Sequence, residues 1–187
     1  MSIIKTKSRG INLTDNFAFT GTVSGAGIDE IDQWILGSDF TTSGATVTGW
    51  IRSDMAGFSK IGTGMTGNAF SNNGYFAFPK TGLYSIRGNF MFYLAAADTS
   101  IGCILQLSTN MNLGNSASFT SIATANVGAA SVTDYEMGSL EALVNVTDIT
   151  THSVKFFTDS FANTNKIVNS STYIHTGIVF ERIGYAQ

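Results

Sequence analysis

The fold turns on the stretch Phe78-Pro79-Lys80-Thr81-Gly82-Leu83-Tyr84-Ser85-Ile86-Arg87-Gly88-Asn89-Phe90-Met91-Phe92. After a turn marked by Pro79 and Gly82, Tyr84, Ile86, Gly88, Phe90 and Phe92 fall on one side of an extended chain, and Ser85, Arg87 and Asn89 on the other. Successive side chains of a strand point to opposite faces, so this alternation predicts a strand with one core face and one wetter face, as in one layer of a sandwich. The single proline stands at the strand entry, where its missing N–H costs least.

Outward from this strand, residues 47–51, 74–78, 102–108, 138–146, 153–158 and 173–182 read as further strands. β-branched and aromatic residues dominate these runs, and turn-rich clusters such as Ser71-Asn72-Asn73-Gly74 and Asn163-Thr164-Asn165 separate them. Apolar residues do not recur at helical spacing over three turns. Many short strands with such punctuation predict an all-β sandwich or jelly roll.

The composition of the 187-residue chain agrees with one packed domain that meets other protein. Only 12% of residues are charged, against an average of about 25%. Gly, Ser, Thr and Asn make up roughly two fifths of the chain, yet 14 Phe, 6 Tyr and 2 Trp supply a core. Interface cores are depleted of charge and enriched in aromatics, so this balance predicts assembly. A net charge of −3 without a basic run lacks the footprint of a phosphate-backbone binder. Nucleic acid is therefore not an expected partner.

The opening residues Met1-Ser-Ile-Ile-Lys-Thr-Lys-Ser-Arg-Gly10 carry charges without an apolar stretch of signal-peptide length, and no later run reaches membrane-spanning length. Synthesis in a cytoplasm, without membrane insertion, is the expectation. Residues 1–27 differ from the rest: Ile11, Leu13, Phe17 and Phe19 stand among polar neighbours, and Ser24-Gly25-Ala26-Gly27 reads as a hinge. So short a segment cannot fold alone and should dock on something. The chain thus divides into an arm and hinge at 1–27 and a folded domain at 28–187.

Motifs that carry chemistry are weak. Gly62-Thr63-Gly64-Met65-Thr66-Gly67 matches the dinucleotide-binding spacing, but a turn-rich stretch follows it, and Arg87 stands where an acid is needed. A flexible loop is the better reading, and no cofactor is expected. Asp29, Glu30 and Asp32 lack the pattern of a calcium loop and read as a solvated acidic patch. The two histidines, His152 in a turn and His175 on the last strand, lie far from each other and from the lone Cys103 in sequence. They form neither a zinc signature nor a nucleophile elbow. Asp134 paired with Glu136 or Glu141 is the remaining carboxylate arrangement, formally open to glycoside cleavage. The sequons at Asn12, Asn145 and Asn169 are chance matches in a chain so rich in Asn, Ser and Thr.

Two stretches carry a resemblance. Phe78-Pro79-Lys80-Thr81-Gly82-Leu83-Tyr84-Ser85-Ile86 resembles the Phe-x-x-x-x-Gly-x-Tyr-x-Phe region of complement C1q and tumour-necrosis-factor-like domains. The segment Ser171-Thr172-Tyr173-Ile174-His175-Thr176-Gly177-Ile178-Val179-Phe180 resembles their final strand. This resemblance spans about residues 30–184 and implies a ten-stranded jelly roll that packs as a homotrimer. The opening Lys7-Ser8-Arg9-Gly10-Ile11-Asn12-Leu13-Thr14-Asp15-Asn16-Phe17, running on to Gly27, is similar to the leader of many structural proteins of tailed phages from marine bacteria.

Together these readings give a C1q/TNF-like jelly-roll β-sandwich with a short extended arm, without catalytic, metal or cofactor residues. The expected role is a trimeric decoration or cement protein of a bacteriophage virion, with Ile11, Leu13, Phe17 and Phe19 docking on the major capsid protein or another virion protein. Two alternatives stand beside it. One is a fibre or tail-tip module that binds host surface glycan through loops such as 110–118, and the weaker one is a polysaccharide-degrading enzyme. Jelly rolls host many roles, so the fold does not choose among them.

Overall fold

The computed structural model describes residues 28–54, 58, 60–67, 74–95, 98–111, 118–129, 134–161, 165–170 and 172–187. The docking residues Ile11, Leu13, Phe17 and Phe19, and the 24–27 hinge, lie outside the described residues.

Twelve strands form among the described residues. They are β1 (Ile31–Leu36), β2 (Trp50–Arg52), β3 (Lys60–Ile61), β4 (Thr66–Gly67), β5 (Tyr75–Ala77) and β6 (Gly82–Leu94), then β7 (Asp98–Ser108), β8 (Thr120–Ala129), β9 (Asp134–Val146), β10 (Ser153–Asp159), β11 (Lys166–Ile167) and β12 (Gly177–Gly184). In a seven-stranded antiparallel sheet, β6 is flanked by β9 on one edge and by β12 and β11 on the other, and β12 leads on to β1, β2 and β3. The second sheet runs β4-β5-β10-β7-β8. The chain crosses between sheets from β3 to β4, β5 to β6, β6 to β7, β8 to β9, β9 to β10 and β10 to β11. These crossings make a jelly-roll sandwich.

The deciding strand folds as its alternation requires. Tyr84, Ile86, Phe90 and Phe92 are buried and Arg87 and Asn89 exposed, whereas Ser85, expected on the wetter face, is covered and donates to Glu141 at 3.4 Å. β6 pairs with β9 along its whole length, from Gly82 opposite Val146 to Leu94 opposite Asp134. Between the sheets the core is a web of rings. Phe76 of β5 meets Trp34 of β1 edge-on at 5.2 Å and Phe180 of β12 at 5.2 Å, and Phe156 of β10 meets Trp50 of β2 at 5.5 Å. Such edge-on and tilted pairs hold the sheets together beyond their buried area.

Several expected boundaries shift, each for a visible reason. In the 47–51 segment only Trp50 onward joins the seven-stranded sheet, because Val47 donates its N–H to Phe156 of the other sheet at 2.8 Å. The last strand begins at Gly177 rather than at Tyr173. The Ser170 hydroxyl accepts the N–H groups of Thr172 and Tyr173, each at 3.1 Å, and turns the chain there. His175 therefore precedes the strand, its ring stacked on Tyr173 at 6.0 Å. β1 and β8 are strands that the sequence pattern does not announce, and the two-residue β3, β4 and β11 raise the count above the expected ten.

Candidate functional site

At one end of the sandwich, residues 62–65 fold over two carboxylates. Of the expected solvated patch only Asp29 is exposed, because Glu30 and Asp32 are each only 2% exposed. Glu30 accepts the N–H groups of Thr63 (3.2 Å) and Gly64 (2.9 Å) and pairs with the Lys80 ammonium at 2.8 Å. Asp32 accepts the Met65 N–H (2.7 Å), the Trp34 indole N–H (2.8 Å) and two donors of Arg52 (2.9 and 3.0 Å). Arg52 also donates to the Met65 carbonyl at 2.9 Å and lies over the Trp34 ring, 4.6 Å from its centre. Buried carboxylates need such partners, since an unpaired one costs several kcal/mol or more.

The loop read as flexible is thus tied down, and its glycines have a structural cause. Gly62 and Gly64 adopt φ of +77° and +76°, and a Cβ at either would run into the Glu30 or Asp32 carboxylate. A nucleotide site offers backbone N–H groups to a phosphate, whereas here they are taken by carboxylates of the chain itself. Burial pushes the Glu30 carboxyl up, but Lys80 and the Gly64 and Thr63 amides outweigh it and hold it below the usual range. Asp29 completes the cluster through Arg182 at 2.9 Å and Lys80 at 3.3 Å. The arrangement is a latch joining β1, β2, β12 and the Lys80 turn before β6 to the 62–65 loop, with its charges already matched.

The other candidate residues are not brought together for chemistry. His152 is buried, and its Nδ1 lies 2.9 Å from the Asp148 carbonyl oxygen and 3.1 Å from the Thr151 hydroxyl, closing a turn. Cys103 is fully buried, and burial pushes its thiol far up. Asp134 and Glu141 stand on opposite faces of β9, roughly 23 Å apart at the rise of a strand. Asp134 and Glu136 do share a face, and Asp134 accepts the Tyr135 N–H at 2.8 Å. Among the described residues, no three His, Cys, Asp or Glu side chains gather as a metal would require.

The largest unassigned feature is the outer face of the seven-stranded sheet. On β9, Gly138, Leu140, Val144 and Val146 face the core, while Tyr135 (57% exposed), Met137 (50%) and Leu143 (62%) point outward. Register extends Met137 and Tyr135 into one apolar patch, while Leu143 stands among polar neighbours. Leu143 lies beside Ser85, Glu181, Ile31 and Ile61 in turn, and Met137 and Tyr135 lie beside Met91 and Tyr93. Between Leu143 and this patch runs a polar band in which Glu141 stands opposite Arg87, and Arg87 pairs with Glu181 at 2.8 Å. Sequence reasoning passed over this surface. The available signal was that β9 carries large apolar residues at both odd and even positions, one set more than a single core face needs.

No family model matches the chain, and a search of curated proteins finds no match. Solved structures do match. Eiger TNF from S. frugiperda superposes with a TM-score of 0.61 at 11% identity, covering 84% of this chain and 95% of that one. Murine APRIL at pH 5.0 gives a TM-score of 0.57 at 11% identity, covering 82% of this chain and 98% of that one. A second murine APRIL structure, at pH 8.5, gives 0.52 at 10% identity. Identities this low establish architecture and not activity: the chain folds as a TNF-like jelly roll.

Proposed function

We propose that this chain is a non-enzymatic building block of a tailed-bacteriophage particle, a homotrimer that decorates the head. In this reading copies meet through the outer face of the seven-stranded sheet, and the arm at 1–27 docks on the major capsid protein or another virion protein. The observation that carries it is the outward row Tyr135, Met137 and Leu143 on β9, at least half exposed in the single chain. A contiguous apolar patch such as Tyr135, Met137, Met91 and Tyr93, rimmed by polar residues, marks a protein interface. Low overall charge supports the same reading, as does the buried or structural use of Cys103 and His152. The virion address rests on the likeness of residues 7–27 to phage structural leaders.

Two variants test the two halves separately. Leu143→Asp places a charge in the exposed outward row of β9 and should yield folded monomer at micromolar concentration, read by light scattering with circular dichroism as the fold control. An unchanged trimer of Leu143→Asp would place the contact elsewhere. Deleting residues 1–20 should leave the trimer intact while abolishing its incorporation into particles. Normal incorporation of the truncated chain would refute the docking arm.

A further inference from the structure

The outer face of the five-stranded sheet, across the sandwich from Leu143, carries an arrangement that neither the core nor the proposed trimer uses. Lys155 projects outward from β10, its ammonium 4.1 Å from the Phe119 ring centre, 5.3 Å from Tyr75 and 5.4 Å from Phe157. Tyr75 and Phe119 meet edge to face at 5.0 Å, so the rings form a wall beside the cation. Lys80 and Lys166 are paired with carboxylates, but no ion pair among the described residues includes Lys155. Its partial burial without an acid holds its pKa below the ordinary lysine value, as expected of a cation short of counter-charge.

Strand register joins this wall to a groove. Tyr75, Lys155, Gln106 and Ser121 are successive neighbours across four strands, and Gln106 donates to the Ser121 hydroxyl at 3.3 Å. One row further, Phe157 neighbours Ile104, which neighbours Thr124. Ile104, Ser121, Thr124, Asn126 and Asp159 line a groove of about 430 Å³, within the ~300–1,000 Å³ range of small-molecule sites. With strands about 4.8 Å apart, Lys155 stands roughly 10 Å from Ser121, two strands away. Cation, aromatic wall and hydroxyl-lined groove thus form one continuous surface.

We propose that this face binds an acidic oligosaccharide, with a sugar carboxylate pairing with Lys155. The apolar C–H side of that sugar ring lies against Phe119 and Tyr75, and the hydroxyls of the next sugar enter the groove, where Ser121, Thr124, Asn126 and Asp159 offer donors and acceptors. The single cation pairs with the carboxylate of one sugar, and the carboxylates of the other sugars stay in solvent. A phosphate chain would have no apolar face to lay against Phe119 and Tyr75. A neutral sugar would leave Lys155 without counter-charge. The site does not depend on the trimer reading, because it lies on the opposite sheet.

The test is calorimetric titration of the full chain with tetragalacturonate and, separately, with neutral maltotetraose, while light scattering on the same samples reads the oligomeric state. The acidic tetramer should bind at least about tenfold more tightly than the neutral one, and more weakly as salt rises. Lys155→Met, which keeps the apolar stem, should lose at least about tenfold in affinity, and Lys155→Arg should retain most of it. Phe119→Ala should weaken binding without changing the oligomer. Equal affinity of wild type and Lys155→Met, equal binding of both tetramers, or no binding of tetragalacturonate up to about 10 mM would overturn the proposal. Because the oligomeric state is read independently, loss of the trimer would count against the assembly reading alone.

Discussion

Replacing Phe76 by alanine should lower stability by about 3–5 kcal/mol and, for a chain of this size, the thermal midpoint by about 10 °C or more. Phe76 is fully buried on the short strand β5 and touches four other rings. Trp34 and Phe180 lie at 5.2 Å, and Trp50 and Phe156 at 6.2 Å. Three of these partners belong to the opposite sheet, so truncation opens a cavity at the seam of the sandwich. The rings around it are anchored on paired strands and cannot collapse into the space, which puts the cost in the upper part of the large-to-small range. A domain is stable by about 5–15 kcal/mol in all, so the loss is a large fraction. Phe76→Leu should cost less than half as much. Denaturant unfolding at matched protein concentration checks both, since assembly makes the midpoint concentration-dependent. A loss below about 1 kcal/mol for the alanine variant would contradict the described packing.

Asp32→Ala should cost about 3 kcal/mol or more, comparable to a core truncation although it removes a charged group. The carboxylate is buried and accepts four hydrogen bonds, from Trp34, Met65 and, twice, Arg52. Its removal leaves the Met65 N–H and the Trp34 indole N–H unsatisfied and Arg52 without its counter-ion. Arg52 keeps some solvent, its side chain being 31% exposed, which moderates the cost of the orphaned cation. The loss should be local as well as global: the Met65 and Gly64 amides should exchange hydrogen much faster, while those in the middle of β6 slow or quicken only with overall stability. Asp32→Asn, which keeps an acceptor, should lie between the two. Unchanged protection at Met65 in Asp32→Ala would show that the loop is not held by this carboxylate.

These two residues also mark what is readable in the sequence and what is not. β6 was legible because Tyr84 to Asn89 alternate and stand after Pro79 and Gly82, with Phe90 and Phe92 continuing the inward row. β1 was not, because Asp32 takes an inward position beside Trp34, and Ile35 is buried on the other face. A carboxylate turned into the sandwich breaks the period-two pattern, and only the folded chain brings Arg52 and Met65 to satisfy it. β8 was missed for a different reason. Its inward residues Ala123, Ala125 and Val127 are small, and they pack where Gly138 of β9 comes close. The glycines at 62 and 64 were visible but misassigned, since their partner is a pair of side chains more than thirty residues away. The outward apolar residues of β9 were visible too, yet they acquire meaning only once the opposite parity is known to fill the core.

In the proposed assembly the jelly roll is one part of a homotrimer joined through the face that carries Leu143, Met137 and Tyr135. The most direct test is the solution mass of the full chain by light scattering at micromolar concentration. The account predicts the mass of three chains of 19.9 kDa each. A stable species with the mass of one chain would contradict it.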